Sequence, residues 1–226
     1  FAGIILCSLF ANEGIPNVPQ GLLAKITTLV HAAGGLVIAD EVQAGFGRTG
    51  TMWGHEAMGF TPDIVTIGKP MGNGYPVAAL ISRADILDQF RRDNFYFNTF
   101  AGAQIAAATA NAVLDILEQD QLLTNATQVG NYLRTHLNEF SARHTLIGDV
   151  RGMGLWVGFE LVIDLELKTP ATAQTDQLIN DLKDLGVLVS KMGPYNNVLK
   201  IRPPLIFNLD NANELLEKLD LCLGKI

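Results

Sequence analysis

An aspartate and a lysine, 29 residues apart, each follow a short apolar run that is typical of a buried strand. Asp40 ends the run LVIAD, and Lys69 follows DIVTIG. Burial disfavours the ammonium form of a lysine, so a lysine at such a position is costly unless it is neutralised or used in a reaction. Only the free amine attacks a carbonyl, and a lysine that its surroundings keep partly neutral is therefore suited to Schiff-base chemistry.

An aspartate on the neighbouring strand can take part in the same chemistry. A carboxylate keeps a pyridine nitrogen protonated, and the protonated ring then acts as an electron sink for a carbanion. The two residues could instead form a buried or half-buried ion pair without a chemical role. Their types and their spacing alone leave both interpretations open.

The first two thirds of the chain alternate between strand and helix patterns. Continuous apolar runs predict strands at 2–9, 36–40, 63–68 and 75–82. Apolar residues at helical spacing before Gly34 and Gly35, and an alanine-rich stretch at 103–118, predict helices. We therefore expect an α/β fold with a mostly parallel sheet, in which ligands bind at the carboxyl ends of the strands. Asp40 and Lys69 both lie at such ends.

The pattern changes at about residue 145. A hairpin around Gly152 and Gly154, a helix near 173–185, a strand at 187–191 and a final amphipathic helix predict a small C-terminal α+β domain. A helix over roughly 122–141 leads out of the first layer. We expect two domains, at 1–144 and 145–226.

Composition argues against several classes of function. The chain has 226 residues, of which 48% are hydrophobic and 17% charged, as in ordinary soluble globular proteins. Its net charge of -7, without a cluster of basic residues, argues against nucleic-acid binding. The most apolar run, 1–11, is too short to span a membrane. Cys7 and Cys222 lie in apolar stretches, so we expect buried thiols and a cytoplasmic protein.

Four segments resemble the class III pyridoxal-phosphate-dependent aminotransferases, and they occur in the family's order. These segments are GGLVIADEVQAGFGRTG (34–50), PDIVTIGKPMGNGYPVAAL (62–80), NTFAG (98–102) and DVRGMGLWVGFEL (149–161). The resemblance implies a fold-type I transferase, with residues 1–144 as part of the large cofactor-binding domain. It also implies a homodimer with the active site at its interface, which transfers an amino group between an amine or amino acid and a keto acid.

The resemblance implies a role for each residue that matches the family's cofactor site. Asp40 would bind the pyridinium nitrogen of pyridoxal 5′-phosphate, and Val42, on the same strand face, would pack against its ring. Gln43 would form a hydrogen bond near the phenolic oxygen of the ring. Lys69 would form the Schiff base and then move a proton between the substrate α-carbon and the cofactor. Thr99 would donate to the cofactor phosphate, in this family usually across the dimer interface.

The substrate-binding candidates lie mainly in the segment LKIRPPLIF. Many family members bind the substrate carboxylate with an arginine three residues before the Pro-Pro pair, and Lys200 occupies that position here. Arg202 shares a face with Lys200 in extended backbone, so either residue could bind an anion or form a surface ion pair. Lysine lacks the bidentate fork of arginine. Glu13, where some members have a gating glutamate, could pair with Lys200.

Several phrases, among them VTIGKPMGNGYPVA and GPYNNVLKIRPP, are most similar to one branch of the class. That branch contains phospho-lyases that act on phosphoethanolamine and phosphohydroxylysine. Those enzymes use the same cofactor but expel phosphate from the β-carbon instead of completing transamination. The resemblance therefore leaves a phospho-lyase open as an alternative, together with a non-catalytic relic of the fold.

The chain begins on a strand-like segment without an initiator methionine, so we expect it to be a fragment. The N-terminal half of the family brings a glycine- and serine-rich phosphate cup and an aromatic ring that stacks on the cofactor, and neither is visible here. The 226-residue chain alone is therefore expected to bind the cofactor weakly or not at all, and to be inactive. Each lost charge-assisted hydrogen bond is worth about 1.5–3 kcal/mol.

Two further patterns carry less weight. Gly45, Gly47 and Gly50 satisfy G-x-G-x-x-G, but a dinucleotide-binding loop requires the glycines to follow a strand directly and to open a helix. LVIADE is similar to the acidic strand of a nucleotide hydrolase, but no phosphate-binding loop accompanies it. The four histidines are scattered, and we propose no metal site.

Overall fold

The computed structural model describes all residues, 1–226, and they form two compact units. The first unit consists of residues 1–9, 18–46 and 51–121. The second unit consists of residues 10–17, 47–50 and 122–226. Two short segments from the first half of the sequence therefore pack with the second half.

The first unit has four strands and four α-helices. In chain order they are β1 (Gly3–Cys7), α1 (Leu22–Ala32), β2 (Leu36–Asp40), α2 (Gly54–Ala57), β3 (Ile64–Ile67), β4 (Ala79–Ser82), α3 (Ala84–Asp93) and α4 (Gln104–Gln119). A single 3-10 turn, Lys69–Gly72, lies between β3 and β4. The strands form one sheet in the order β1-β2-β3-β4.

The first three strands of this sheet are parallel, and β4 runs antiparallel to β3. Val37 and Ala39 of the central strand β2 are completely buried. The register places Asp40 beside Thr66, so that β2 and β3 end at the same edge of the sheet. The prediction of an α/β fold with a mostly parallel sheet is confirmed.

The glycine stop after α1 shows how the sequence sets an element boundary. Gly34 has a φ of +76°, a conformation that glycine adopts without the steric cost of a Cβ. Its N–H donates to the carbonyl of His31, and the N–H of Gly35 donates to Val30, both at 2.9 Å. The chain leaves the helix there and enters β2 at Leu36.

The second unit contains three α-helices and five strands. In chain order they are α5 (Leu122–Glu139), β5 (Ile147–Met153), β6 (Trp156–Asp164), β7 (Thr169–Pro170), α6 (Thr172–Asp184), β8 (Ser190–Met192), β9 (Val198–Ile201) and α7 (Leu209–Leu223). A 3-10 turn, Phe140–Ala142, follows α5. The sheet order is β5-β6-β9-β8, with β7 paired to β6, and every pairing is antiparallel.

The core of the second unit lies between this sheet and its three helices. Val157, Phe159 and Leu161 alternate along β6, and Leu199 and Ile201 alternate along β9. All five are at most 1% exposed, and they belong to the same cluster as the apolar faces of α5, α6 and α7. The residues between them on β9 therefore point to the opposite face of the sheet.

Packing assigns α5 to the second unit, although the sequence analysis placed the start of the second domain at residue 145. The helix contacts β5, β6 and α7, because its buried residues belong to the second core. The division into family domains at 144 and 145 stays a prediction. The predicted strand at 187–191 is observed at Ser190–Met192.

No helix of either unit is long and apolar enough to cross a membrane. No group of three or more histidine, cysteine, aspartate or glutamate side chains is arranged to hold a metal ion. The histidines bind single partners instead: His31 binds Asp63, His55 binds Glu41, His144 binds Asp220, and His136 binds the carbonyl of Tyr132.

Candidate functional site

Asp40 is the last residue of β2, and its side chain is held by the backbone that follows. The N–H of Val42 donates to Oδ1 of Asp40 at 3.0 Å, which closes a short turn at the end of the strand. The residue is half-buried. A carboxylate with a defined orientation therefore lies at the carboxyl end of a central parallel strand.

Lys69 lies two residues beyond the end of β3, not at the strand end itself. It begins the 3-10 turn, in which the N–H of Met71 donates to the carbonyl of Gly68 at 2.8 Å. Its φ is +22°, in a region that residues with a Cβ rarely adopt and that is found preferentially at functional sites. Helix α4 contacts this turn. The turn presents the lysine at the edge where β2 and β3 end.

The side chain of Lys69 is exposed, so the burial expected from the sequence is wrong. The sequence pattern suggested burial because the residues before Lys69 are apolar. Of those residues, Ile64, Val65 and Thr66 are half-buried and Ile67 and Gly68 are buried, and the chain then turns outwards at Lys69. The positive φ of Lys69 and its position at the shared strand edge, and not burial, mark it as a candidate functional residue.

Val42 connects the two strand ends. A Cβ placed on Gly68 would lie 3.9 Å from both Cγ atoms of Val42 and 3.8 Å from the Cβ of Ala78. These are ordinary van der Waals distances, so the isopropyl group of Val42 lies beside the residue that precedes Lys69. The structure therefore brings together the segment from Asp40 to Val42 and the turn of Lys69.

Gln43 and Thr99 occupy different environments. Gln43 is half-buried in the turn that follows Val42. Thr99 lies in an exposed turn between α3 and α4, in which Oδ1 of Asn98 accepts the N–H of Phe100 at 3.0 Å. The hydroxyl of Thr99 makes no hydrogen bond within the chain, and its role at a cofactor phosphate stays a prediction.

Glu41, directly after Asp40, is completely buried and was not among the functional residues predicted from the sequence. Its carboxylate accepts the hydroxyl of Ser8 at 3.1 Å and the N–H groups of Gly54 and His55, both at 2.8 Å. Nδ1 of His55 lies 2.9 Å from Oε1 of Glu41. Burial raises the pKa of Glu41, but these hydrogen bonds outweigh burial and hold the pKa below its ordinary value. Glu41 thus anchors the Asp40 turn to β1 and α2.

Glu41→Gln in the full-length protein is expected to destabilise the fold by about 2 kcal/mol or more, because a charged acceptor of several buried donors is lost. A group with a lowered pKa in the folded state stabilises above its unfolded pKa, near 4.5, and this contribution disappears as the pH falls through the folded pKa. The difference in unfolding free energy between the wild type and the variant should therefore shrink below about pH 4.5.

Urea unfolding at pH 7 and pH 4 measures this difference. Glu118→Gln, at an exposed position of α4, is the matched control and should change the unfolding free energy by less than about 0.5 kcal/mol. If Glu41→Gln lost the same unfolding free energy at pH 7 and at pH 4, the lowered pKa of Glu41 would be contradicted.

A second group of candidate residues lies on the sheet of the second unit. Lys200 is opposite Gly158 in the pairing of β9 with β6, and Arg202 follows the end of β9. Nζ of Lys200 lies 5.7 Å from the ring centroid of Trp156, and Cζ of Arg202 lies 5.8 Å from it. Trp156 is completely buried. Both cations therefore interact with one indole ring, at distances that favour cation–π attraction.

Lys200 and Arg202 also line one cleft of about 500 Å³. The segment 186–190, the Pro203–Pro204 pair and the first half of α7 form its other walls. Glu214 is the single acidic residue in the lining, and its carboxylate is paired with Lys218 of the same helix. The cleft lies against α7, on the core face of the sheet, whereas the side chain of Lys200 points to the opposite face.

Glu13 is exposed in the segment 10–17, which belongs to the second unit. Its Oε2 accepts the N–H of Asn12 at 3.1 Å. The pairing of Glu13 with Lys200 that the resemblance suggested stays a prediction.

Two curated relatives cover most or all of this chain. Alanine–glyoxylate aminotransferase 2 homolog 2, mitochondrial, from Arabidopsis thaliana is 44% identical over 225 residues, which are 100% of this chain and 47% of that protein. Ethanolamine-phosphate phospho-lyase homolog 1 from Caenorhabditis elegans is 41% identical over 206 residues, which are 89% of this chain and 44% of that protein. The chain thus spans about half the length of these relatives.

Two solved structures show the same fold. A phospholyase from Arthrobacter in complex with phosphoethanolamine has a TM-score of 0.95 and 45% identity, over 98% of this chain and 53% of that one. A Bacillus anthracis aminotransferase has a TM-score of 0.93 and 32% identity, over 100% of this chain and 52% of that one. These matches confirm the predicted fold class.

A family profile gives the same assignment as the motifs and the structures. The profile of Aminotransferase class-III matches residues 1–223, nearly the whole chain. The solved aminotransferase structure and the curated aminotransferase relative both agree with this match. The chain belongs to the class-III aminotransferase family.

Proposed function

We propose that the protein to which this chain belongs is a pyridoxal-phosphate-dependent aminotransferase. It would transfer an amino group between an amine or amino acid and a keto acid. The observation that carries the proposal is the pairing of an oriented carboxylate, Asp40, with the strained lysine turn at Lys69, at the shared edge of two parallel strands. Val42 lies beside that turn and joins the two.

The residues at this edge fit a pyridine cofactor. Asp40 offers a fixed, half-buried carboxylate that would hold the ring nitrogen in its protonated form. Val42 offers an apolar side chain for the ring, and Gln43 an amide for its phenolic oxygen. Lys69 offers an exposed amine for the aldehyde carbon. When bound, the cofactor supplies an electron sink for a carbanion at the substrate α-carbon.

Side chains of this chain would transfer the proton and bind the substrate. Lys69 would move the proton to and from the substrate α-carbon, which requires an amine that gains and loses a proton readily. Lys200 and Arg202 would bind the anionic group of the substrate, because both cations lie over the ring of Trp156. Glu13 would modulate the charge available to that group by pairing with Lys200.

We also propose that the protein is a homodimer and that Thr99 serves the cofactor phosphate of the partner subunit. The exposed aromatic residues on both sides of Thr99 support this. Phe95, Phe97 and Phe100 are 96%, 73% and 81% exposed, and Tyr96 is also exposed. Such a dense apolar surface is typical of a protein–protein interface.

A phospho-lyase is the second candidate function. It is favoured by the two cations over one indole ring, because a phosphate monoester carries a charge of about -1.5 to -2 at pH 7 and would neutralise both. One relative is named a phospho-lyase, and one structural neighbour is a phospholyase in complex with phosphoethanolamine. The same Asp40 and Lys69 would serve either reaction.

The two functions give different products from the full-length enzyme. An aminotransferase converts a keto acid to an amino acid in the presence of an amine donor and releases no inorganic phosphate. A phospho-lyase releases inorganic phosphate from phosphoethanolamine without any keto acid. We expect amino transfer to an added keto acid. Phosphate release without an acceptor would establish the second candidate instead.

Borohydride reduction tests the cofactor assignment itself. The full-length protein, loaded with pyridoxal 5′-phosphate and reduced, should carry the pyridoxyl mass on the peptide that contains Lys69. A protein that gains no cofactor absorbance on loading would be a non-catalytic relic of the fold. Modification of another lysine would contradict the assignment of Lys69.

A further inference from the structure

Arg48 is a half-buried cation whose hydrogen bonds go to the backbone. It lies in the segment 47–50 of the second unit. Its Nη1 donates to the carbonyl of Leu155 at 2.9 Å and to the carbonyl of Pro203 at 2.6 Å. No carboxylate forms a salt bridge with it. Burial, followed by the charge of Arg202, lowers the pKa of Arg48 to about 10, so the residue still carries its charge at neutral pH.

The two carbonyls belong to residues that are adjacent in sequence to Trp156 and Arg202, which form the anion site of the proposed function with Lys200. Leu155 immediately precedes Trp156, and Pro203 immediately follows Arg202. The N–H of Leu155 also donates to the carbonyl of Arg48 at 3.1 Å. Arg48 therefore connects the backbone beside the indole ring to the backbone beside one of the cations that lie over it.

A half-buried guanidinium without an ion pair is costly, and its repulsion of Arg202 adds to that cost. A bound anion would relieve both costs, because it adds a negative charge beside two neighbouring positive ones. A phosphate monoester, with about two negative charges, would relieve more of the repulsion than a single carboxylate would. The position of Arg48 is thus less favourable when the Lys200–Arg202 site is empty than when that site holds an anion.

We propose that Arg48 is a positioning residue for the Lys200–Arg202 anion site and that it increases the preference of that site for a doubly charged phosphate over a carboxylate. It acts through the carbonyls of Leu155 and Pro203, which set the spacing between Trp156 and Arg202, and through its charge. The inference rests on the proposed function, in which Lys200 and Arg202 bind the anionic group of the substrate.

The test compares Arg48→Met and Arg48→Lys in the full-length enzyme. KM and kcat are measured for phosphoethanolamine and for alanine, which has a carboxylate but no phosphate. Binding of phosphoethanolamine and of alanine is also measured by calorimetry on cofactor-loaded protein in a Lys69→Ala background, so the comparison does not depend on turnover of either amine. Arg134→Met is the matched control, because Arg134 is another half-buried arginine of the second unit, donates to the carbonyl of Gly154 at 3.1 Å and lines a different cleft.

We expect Arg48→Met to raise KM and Kd for phosphoethanolamine by about 10- to 100-fold, the equivalent of one or two charge-assisted hydrogen bonds. KM for alanine should rise less than about fivefold, because one negative charge gains less from the additional cation. Arg48→Lys should recover at least half of the loss on a logarithmic scale, since it keeps the charge. Arg134→Met should change KM for the two substrates equally.

Equal effects of Arg48→Met on both substrates, or the same pattern in Arg134→Met, would show a purely structural role and overturn the inference. Lys200→Gln and Arg202→Gln separate this failure from failure of the proposed function. If those variants bind phosphoethanolamine like the wild type, the anion site itself is wrong. If they bind weakly and Arg48→Met does not, only the role of Arg48 is wrong.

Discussion

Lys69→Ala in the full-length enzyme is expected to lower kcat by about 10²- to 10⁴-fold from the loss of proton transfer alone. Loss of the covalent link to the cofactor lowers it further. Steady-state turnover with saturating amine and keto acid, with the cofactor in excess, measures the effect. Because the side chain of Lys69 is exposed, the unfolding temperature of the cofactor-free protein should stay within about 2 °C of the wild type.

A second substitution of Lys69 tests whether proton transfer or charge alone is lost, and a substitution elsewhere serves as the control. Lys69→Arg keeps the positive charge but has no proton to give up near neutral pH, so it should be as inactive as the alanine variant. Lys25→Ala, at an exposed position of α1, should leave kcat unchanged within about twofold. If Lys69→Ala kept more than a tenth of the wild-type kcat, Asp40 and Lys69 would be structural residues in this protein.

The position of this site was predictable because it depends on local patterns. An apolar run followed by a single polar residue marks the end of a buried strand, and β2 begins and ends where the run LVIAD does. Strand β3 and helix α4 lie within one residue of their predicted limits at each end. Parallel neighbours end at the same edge of a sheet, so the proximity of Asp40 and the Lys69 turn followed from their order along the chain.

The supporting residues could not be predicted in this way, because their contacts are remote in sequence. Glu41 is anchored by Ser8, 33 residues before it, and by His55, 14 residues after it. Arg48 binds carbonyls 107 and 155 residues later in the chain. Neither residue interrupts a pattern: an acid after a strand and an arginine in a glycine-rich loop both look like surface residues.

Neither the exposure nor the positive φ of Lys69 could be predicted from the sequence. A run of apolar residues predicts burial of the strand but not the point at which the chain leaves it, and here it leaves after Ile67. The strand predicted at 187–191 begins three residues later in the structure, at Ser190, for a related reason. Val187 and Val189 satisfy a strand pattern but pack beside the core of the second unit, and pairing with β9 begins at Ser190.

Asp40→Asn is expected to lower kcat by about 10²- to 10³-fold, with a smaller loss of cofactor affinity. The amide oxygen of asparagine can still accept the N–H of Val42, so the turn at the end of β2 should persist. A neutral amide cannot stabilise a protonated ring nitrogen, however, and the electron sink is weakened for every substrate alike. The half-reaction with a single amine, followed by absorbance in a single turnover, isolates this step from product release.

Asp40→Ala completes the comparison, because it removes both the charge and the acceptor of the Val42 N–H. It should lower kcat as far as Asp40→Asn does, and it should also lower the unfolding free energy by about 1 kcal/mol relative to Asp40→Asn. Asp115→Asn, at an exposed position of α4, should change neither quantity. If Asp40→Asn kept wild-type turnover while Asp40→Ala lost it, the contribution of Asp40 would be the shape of the strand end and not its charge. Another group would then keep the ring nitrogen protonated, or the reaction would proceed without that proton.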